Sequence, residues 1–186
     1  MTDSTSPQKT GSAHMKKSIL KDKEILAVDD ESDILELIDE ELEEYGVRLD
    51  TATSYETAAE KLNASFYDLA VLDIMGVRGF ELLEIAVKKK IPVVMLTAHA
   101  ISAQSLKKSI ELGARAYLPK DQLGMLAPFL EDVLGLSYQS GWAKVFEKLA
   151  GHFGSAFGPD WRQSEKEFWK KFDEEVGVNK STIIES

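Results

Sequence analysis

Asp68-Leu-Ala-Val-Leu-Asp73 is the most informative stretch of this sequence. Four consecutive apolar residues run into a carboxylate, and glycines follow at Gly76 and Gly79. A short apolar run that is ended by turn-forming residues is typical of a strand buried on both faces. Open α/β sheets bind their ligands at the carboxyl ends of the strands, so Asp73 is the first candidate for a functional residue. Taken alone, a strand-terminal Asp that only caps a turn is an equally good interpretation.

Four further segments have the same apolar character, and helical patterns lie between the strands. The first of these patterns has apolar residues at Ile34, Ile38 and Leu42, close to the 3.6-residue period of a helix. Five strands that alternate with five helices predict an α/β fold with a parallel sheet and right-handed crossovers. We predict a flavodoxin-like (βα)5 domain over residues 22–134, doubly wound, with strand order 2-1-3-4-5. The other strands are expected at residues 24–29, 47–52, 91–96 and 114–118.

The composition excludes several classes of protein. Hydrophobic residues make up 44% of the 186 residues, which is normal for a globular domain. No apolar run approaches the ~20 residues of a membrane-spanning helix and no secretory signal is visible, so we expect a cytoplasmic protein without membrane contact. The absence of Cys excludes disulfides and thiolate metal sites. Nearly all of the net charge of −10 falls in residues 16–134 and no region is basic, which argues against a nucleic-acid partner.

Residues 1–21 are predicted to be a disordered tag or linker. The beginning of this segment is rich in Ser, Thr, Gln and Lys and has no apolar pattern. Gly11-Ser-Ala-His-Met15 resembles a cloning remnant, which would place the original start at or just after Met15. Native sequence throughout is the alternative.

Acidic, hydroxyl and amino side chains mark the ends of four predicted strands. Asp29 and Asp30 follow the first strand, and the predicted strand order makes this strand a neighbour of the one that ends in Asp73. Three converging carboxylates repel one another unless a cation compensates them, and oxygen ligands without His or Cys favour Mg²⁺. Thr97 ends the fourth strand and Lys120 the fifth. Together these groups predict a phosphoryl site, in which one carboxylate attacks phosphorus and the cations neutralise its oxygens.

A family resemblance is carried by Asp29-Asp30, Asp73, Thr97-Ala98 and Tyr117-Leu-Pro-Lys120. In order and spacing these residues resemble the receiver domain of the response regulators of two-component signalling, of the chemotaxis-regulator type. The resemblance covers roughly residues 22–134. It is specific, because the matching positions fall at the ends of four different strands.

The resemblance implies a role for each residue of the acidic pocket. Asp73 would be the phosphoacceptor, and Lys120 would contact the phosphoryl group. Mg²⁺ would be ligated directly by Asp30 and mostly through water by Asp29. Asp73 and the backbone carbonyl of Met75 would complete the metal site.

The resemblance also implies a switch. Thr97 and Tyr117 would report phosphorylation to the surface formed by the fourth helix, the fifth strand and the fifth helix. His99 and the Met75 side chain would occupy variable positions that modulate the lifetime of the phosphoryl group. Simpler interpretations stay open: Asp29-Asp30 could cap the first helix, Thr97 could bond to the backbone, and Tyr117 could be a core aromatic whose hydroxyl reaches solvent.

Two features depart from the family pattern. The loop Asp73–Gly79 is shorter than usual and lacks the family's Pro. Asp121 follows Lys120, where the family commonly has a Pro joined by a cis peptide bond. Because a cis bond before a non-proline residue costs about 2.5–4 kcal/mol, we predict a trans bond there.

Residues 135–186 are predicted to form a helical extension. Half of the aromatic residues of the chain lie between Trp142 and Phe172. Their spacing predicts a first amphipathic helix that ends near His152, which glycines flank, and a second over residues 161–176. Because two short helices bury little core alone, they should pack on the domain, on each other in a homodimer, or on a partner. We favour self-association or partner docking over a phosphotransfer role for His152.

The favoured function is a phosphorylatable signalling switch without a DNA-binding output, and not a turnover enzyme. Its partners would be a sensor histidine kinase or phosphotransfer protein upstream and a protein target downstream. The alternative is a receiver-like scaffold that acts through protein–protein contact without being phosphorylated. A hydrolase on the same fold is the third hypothesis, which the lack of a second nucleophile–base pair or general-acid His weakens.

Overall fold

A five-stranded parallel sheet forms the centre of the structure, a computed structural model that describes residues 17–98 and 102–177. The strands are β1 (Glu24–Val28), β2 (Arg48–Ala52), β3 (Leu69–Asp73), β4 (Val93–Thr97) and β5 (Ala116–Pro119). Their order is β2-β1-β3-β4-β5, which confirms the predicted flavodoxin-like topology. Every residue of β3 and β4 is buried, which explains the unbroken apolar runs of these two segments.

Helices connect the strands and flank the sheet. They are α1 (Ser32–Leu42), α2 (Tyr55–Ala64), α3 (Gly79–Lys88), α4 (Ala103–Glu111), α5 (Leu126–Gly135), α6 (Tyr138–Phe157) and α7 (Lys166–Val176). α1 buries Leu35, Ile38 and Leu42, which follow the helical period seen in the sequence. The Ser54 hydroxyl accepts a hydrogen bond from the Thr57 amide at 3.3 Å and caps α2.

The strand register brings the candidate acids to one edge of the sheet. Val28 of β1 pairs with Leu72 of β3, so Asp29 and Asp73 follow side by side. The carboxyl ends of β4 and β5 reach the same edge through the pairing of β3 with β4 and of β4 with β5. This edge is therefore where the predicted site residues can meet.

The segment after β5 does not form a single helix. Lys120–Met125 consists of 3-10 turns interrupted by a kink at Gln122 (φ −110°, ψ 19°), and α5 begins only at Leu126. Gly124 lowers the helix propensity of this segment. Pro128 fits in the first turn of α5, where a backbone N–H is not needed.

The C-terminal extension (residues 136–177) contains α6 and α7. α6 runs unbroken through Gly151 and Gly154 to a cap at Gly158, so the prediction that this helix ends near His152 is wrong. A glycine in a helix interior costs about 1 kcal/mol. The burial of Phe153 in the last turns outweighs this cost, because a fully buried large apolar side chain contributes about 1.5–3 kcal/mol.

The extension covers the surface formed by α4, β5 and α5, named here the α4–β5–α5 face (residues 103–135). The Trp142 indole N–H donates to the Ala114 carbonyl at 3.0 Å, and Lys107 Nζ on α4 lies 2.9 Å from Glu165 Oε2. The buried side chains of α6 are Trp142, Val145, Phe146, Leu149 and Phe153. Of the three arrangements left open by the sequence, the structure has the helices packed on the domain of their own chain.

The packed part of the chain begins before residue 22. Leu20 is fully buried, and Ser18 Oγ donates to Glu131 Oε1 at 2.6 Å. Residues 1–16, which include the predicted cloning remnant, lie outside the described residues.

The helices lack membrane-spanning character in the part of the chain that the structure describes. Within residues 17–98 and 102–177, none combines the length and the apolar composition that crossing a membrane requires.

Candidate functional site

Three carboxylates meet at the carboxyl edge of the sheet. Asp29 and Asp30 follow β1 and Asp73 ends β3, and one carboxylate oxygen of each lies within 4.8 Å of the others. Asp29 and Asp73 are buried, whereas Asp30 is exposed. The Asp29 carboxylate also accepts a hydrogen bond from the Glu31 amide at 3.0 Å, just before α1. Asp29 therefore binds the backbone just before α1 and also forms part of the cluster, whereas the N-cap residue Glu31 makes no side-chain cap hydrogen bond, so the acid pair does not cap the helix.

Lys120 supplies a positive charge to this cluster. Its Nζ lies 2.9 Å from Asp29 Oδ2 and 3.2 Å from Asp73 Oδ1. Lys120 Nζ also lies 2.9 Å from Glu31 Oε1. This contact was not predicted from the sequence, in which Glu31 is distinguished only by its position next to the acid pair. Burial alone would lower the pKa of Lys120, but these carboxylates raise it. The described residues contain no cis peptide bond, so the bond between Lys120 and Asp121 is trans as predicted.

The surroundings raise the pKa of both buried carboxyls. Burial raises the pKa of Asp73 to about 6, the charge of Asp29 adds to this effect, and Lys120 opposes it. Burial also raises the pKa of Asp29 against the opposing hydrogen bond from Lys120. One lysine therefore does not compensate the negative charge at this edge.

The donor set fits a Mg²⁺ ion. The buried oxygens Asp29 Oδ2 and Asp73 Oδ1 share the single ammonium of Lys120, at 2.9 Å and 3.2 Å, and have no other partner among the described residues. Such acceptors are costly unless a cation or a donor satisfies them. Together with the Asp30 carboxylate they offer oxygen ligands at one point, the type that Mg²⁺ prefers. Asp29, Asp30 and Asp73 are the residues that would hold the ion.

The loop between β3 and α3 lies directly on these acids. Gly76 has a φ of +50°, and a Cβ at this position would lie 2.2 Å from Asp30 Oδ1. The Met75 side chain is 68% exposed. The backbone carbonyl of Met75, which the resemblance suggested as a metal ligand, accepts a hydrogen bond from the Val77 amide. A second lone pair on the carbonyl oxygen is left for a metal.

The two residues of the suggested switch lie on neighbouring strands. The Thr97 hydroxyl donates to the Ala98 carbonyl at 3.3 Å, as in the simpler interpretation of this residue. The Tyr117 hydroxyl is buried and makes no hydrogen bond, so the interpretation in which it reaches solvent is wrong. Burial raises the pKa of Tyr117 to about 12, and the nearby Thr97 side chain opposes this effect. His99, the other suggested modulator, lies outside the described residues.

Comparison with known proteins assigns the α/β domain to a family. The family model of the response regulator receiver domain matches residues 25–125, more than half of the chain. The chain therefore belongs to the response regulator receiver domain family. The match ends before α5, so the C-terminal extension lies beyond it.

Individual relatives agree with this assignment. The phosphate regulon transcriptional regulatory protein PhoB of Klebsiella pneumoniae is 35% identical over 102 residues, which are 52% of this chain and 44% of PhoB. A two-component response regulator from Clostridium difficile has a TM-score of 0.55 at 28% identity, covering 60% of this chain and 95% of its own. The chemotaxis protein CheY4 of Vibrio cholerae has a TM-score of 0.55 at 27% identity, and the match covers 61% of this chain and 99% of the CheY4 chain. This chain thus spans less than half the length of PhoB, and nearly all of the two solved chains.

Proposed function

We propose that this protein is a response regulator whose Asp73 accepts a phosphoryl group in a Mg²⁺-dependent reaction. The main support is a buried Asp73 carboxylate oxygen that shares the Lys120 ammonium with Asp29 and lies beside two further carboxylates. Phosphoaspartate and Mg²⁺ are typical of the family to which the chain belongs. A buried, incompletely satisfied carboxylate is well suited to act as a nucleophile toward phosphorus.

In the proposed reaction, an oxygen of Asp73 attacks the phosphorus of a phosphohistidine on a sensor kinase or phosphotransfer protein. The new P–O bond forms as the P–N bond breaks, and the leaving imidazole takes up a proton. Lys120 is placed to stabilise the negative charge on the transferred oxygens. Mg²⁺, held by Asp29, Asp30 and Asp73, would neutralise the phosphoryl oxygens further.

We propose that Thr97 and Tyr117 relay the charge of the phosphoryl group. The Thr97 hydroxyl makes a long hydrogen bond to the neighbouring Ala98 carbonyl, which it can exchange for one to a phosphoryl oxygen. The Tyr117 hydroxyl is buried beside the Thr97 side chain and can follow this movement. Phosphorylation would then shift the populations of two existing conformations.

The proposed output is contact between protein surfaces and not nucleic-acid binding. The extension consists of helices packed on the α4–β5–α5 face, and the net charge of −10 gives little attraction to a phosphate backbone. PhoB is named a transcriptional regulatory protein, and this chain matches 44% of its length.

Incubation with acetyl phosphate and Mg²⁺, followed by intact-mass and peptide mass spectrometry, tests the proposal. We expect one phosphoryl group on the wild-type chain, none on Asp73→Asn, and none when EDTA removes the metal. Asp68→Asn, at the opposite end of the same strand segment, is the matched control and should be phosphorylated normally. No adduct on the wild type, or an undiminished adduct on Asp73→Asn, would contradict the proposal and favour the scaffold hypothesis.

A further inference from the structure

The α4–β5–α5 face is occupied by the chain's own helices. Besides the Trp142 and Lys107 contacts, the Tyr138 hydroxyl donates to the Ile110 carbonyl of α4 at 3.3 Å. Lys148 of α6 lies 2.6 Å from Asp132 of α5. Polar contacts therefore reach α4, α5 and the start of β5, and they surround the buried aromatic side chains of α6.

Tyr117 joins this docked surface to the acidic pocket. Its ring is fully buried and packs edge-to-face on the Phe153 ring of α6, with 6.3 Å between ring centroids. The Phe153 ring also packs on the rings of Phe146 and Trp161, with 5.4 Å and 6.2 Å between ring centroids, so it belongs to the aromatic core of the extension. The other end of Tyr117, its hydroxyl, lies beside Thr97. One side chain thus contacts both the suggested switch and the extension.

We infer that the extension is the intramolecular binding partner of the α4–β5–α5 face, and that its docking and phosphorylation of Asp73 stabilise each other through Tyr117 and Phe153. The inference rests on the proposed function, because the phosphoryl group is the effector at one end. The coupling between docking and phosphorylation is steric, because the docked Phe153 ring blocks an outward rotation of the Tyr117 ring. The extension therefore holds Tyr117 in the buried position next to Thr97.

Reciprocity follows from this arrangement. If the docked extension favours the Tyr117 position that accompanies phosphorylation, then phosphorylation must favour the docked extension by the same factor. A downstream protein would consequently recognise the extension on the receiver, because the α4–β5–α5 face beneath it is covered.

The test measures the affinity of the Mg²⁺–beryllofluoride complex for the full chain, together with amide hydrogen exchange of α6 and α7. For Phe153→Ala we expect the affinity to fall about ten-fold, within the usual range of coupling between sites. Lys144→Ala changes an exposed residue of the same helix and is the control, for which we expect near wild-type affinity. In the wild type, the adduct should slow exchange in α6 and α7.

A second pair of variants keeps the core intact. Lys107→Glu places like charges next to each other at the rim, and should weaken beryllofluoride binding about three-fold. Adding Glu165→Lys restores the ion pair and should restore the affinity. Equal affinities in all variants, with exchange in α6 unaffected by the adduct, would overturn the inference while leaving the proposed function intact. No adduct on the wild-type chain would overturn both.

Discussion

At the scale of single residues, the site holds more negative charge than its one lysine compensates. Lys120 contacts Asp29, Asp73 and Glu31, so three carboxylates share one ammonium, and the buried oxygens Asp29 Oδ2 and Asp73 Oδ1 have no other partner among the described residues. This arrangement stores unfavourable electrostatic energy that a divalent cation can relieve. The uncompensated negative charge of the pocket therefore both attracts a cation and lowers the stability of the fold.

A pH-dependent stability difference follows from the Asp73 carboxyl. Its pKa is raised from 3.8 to about 6, so without metal the folded chain binds this proton more tightly than the unfolded chain. The free energy of unfolding contributed by Asp73 therefore falls as pH rises through the window from about 4 to about 6. Asp73→Asn removes this destabilisation and should be more stable than the wild type at pH 8 by about 3 kcal/mol.

Urea unfolding in EDTA between pH 4 and pH 8 measures this effect. The advantage of Asp73→Asn should shrink toward pH 4, whereas Asp39→Asn, an exposed acid on α1, should show no such trend. A difference between Asp73→Asn and wild type that does not change with pH would rule out this explanation.

The glycine of the short loop is predicted to control metal affinity. A Cβ at Gly76 would overlap the Asp30 carboxylate, and the φ of +50° is unfavourable for alanine. Gly76→Ala should push Asp30 away from the other two acids and weaken Mg²⁺ binding about ten-fold, since one tenfold step needs only about 1.4 kcal/mol. Gly124→Ala, where a Cβ meets nothing within 4 Å, is the control and should bind normally. Calorimetric titration would expose an error if both variants bound Mg²⁺ equally well.

At the scale of helices and strands, local patterns predicted most elements, and tertiary contacts decided the exceptions. β3 and β4 were recognisable because strands buried on both faces consist of unbroken apolar runs. The length of α6 was not recognisable from the sequence, because Gly151 and Gly154 suggest a break that the burial of Phe153 overrides. The 3-10 turn Lys120–Met125 was missed for a similar reason, since apolar periodicity does not distinguish it from α5.

The glycines inside α6 offer a direct check on this explanation. A Cβ at Gly151 meets no atom within 4 Å, and the residue is exposed in the middle of the helix. Gly151→Ala should therefore raise the free energy of unfolding by about 0.5–1 kcal/mol. If α6 were frayed at this point in solution, thermal or urea unfolding would show an unchanged or a lower free energy of unfolding for Gly151→Ala.

At the scale of the whole molecule, the sequence showed the acidic pocket more clearly than the packing of the extension. The pocket was predictable because the topology brings Asp29, Asp30 and Asp73 to one edge of a recognisable sheet. The docking of α6 was one of several possibilities, because an aromatic stripe shows that a helix is buried without showing against what. Contacts such as Trp142 with Ala114 join distant parts of the chain and leave no local signal.

The docked extension should unfold together with the receiver domain. All three tryptophans lie in the extension, so their fluorescence reports on α6 and α7, whereas far-UV circular dichroism reports on the whole chain. Because Trp142, Phe146 and Phe153 are buried in the interface, we expect the two urea transitions to coincide. A fluorescence transition at clearly lower urea would show that the extension detaches before the sheet unfolds.

The convergence of acids from β1 and β3 on one divalent ion is measured most directly by calorimetric titration of Mg²⁺ into the wild-type chain and three variants. We expect one ion per chain, with affinity weakened at least about ten-fold in Asp30→Asn and in Asp73→Asn, because each removes an oxygen ligand. Asp33→Asn, an exposed acid in the first turn of α1, should bind as the wild type does. Absence of saturable binding to the wild type, or equal binding to all four proteins, would contradict a metal-dependent phosphoacceptor site at Asp73.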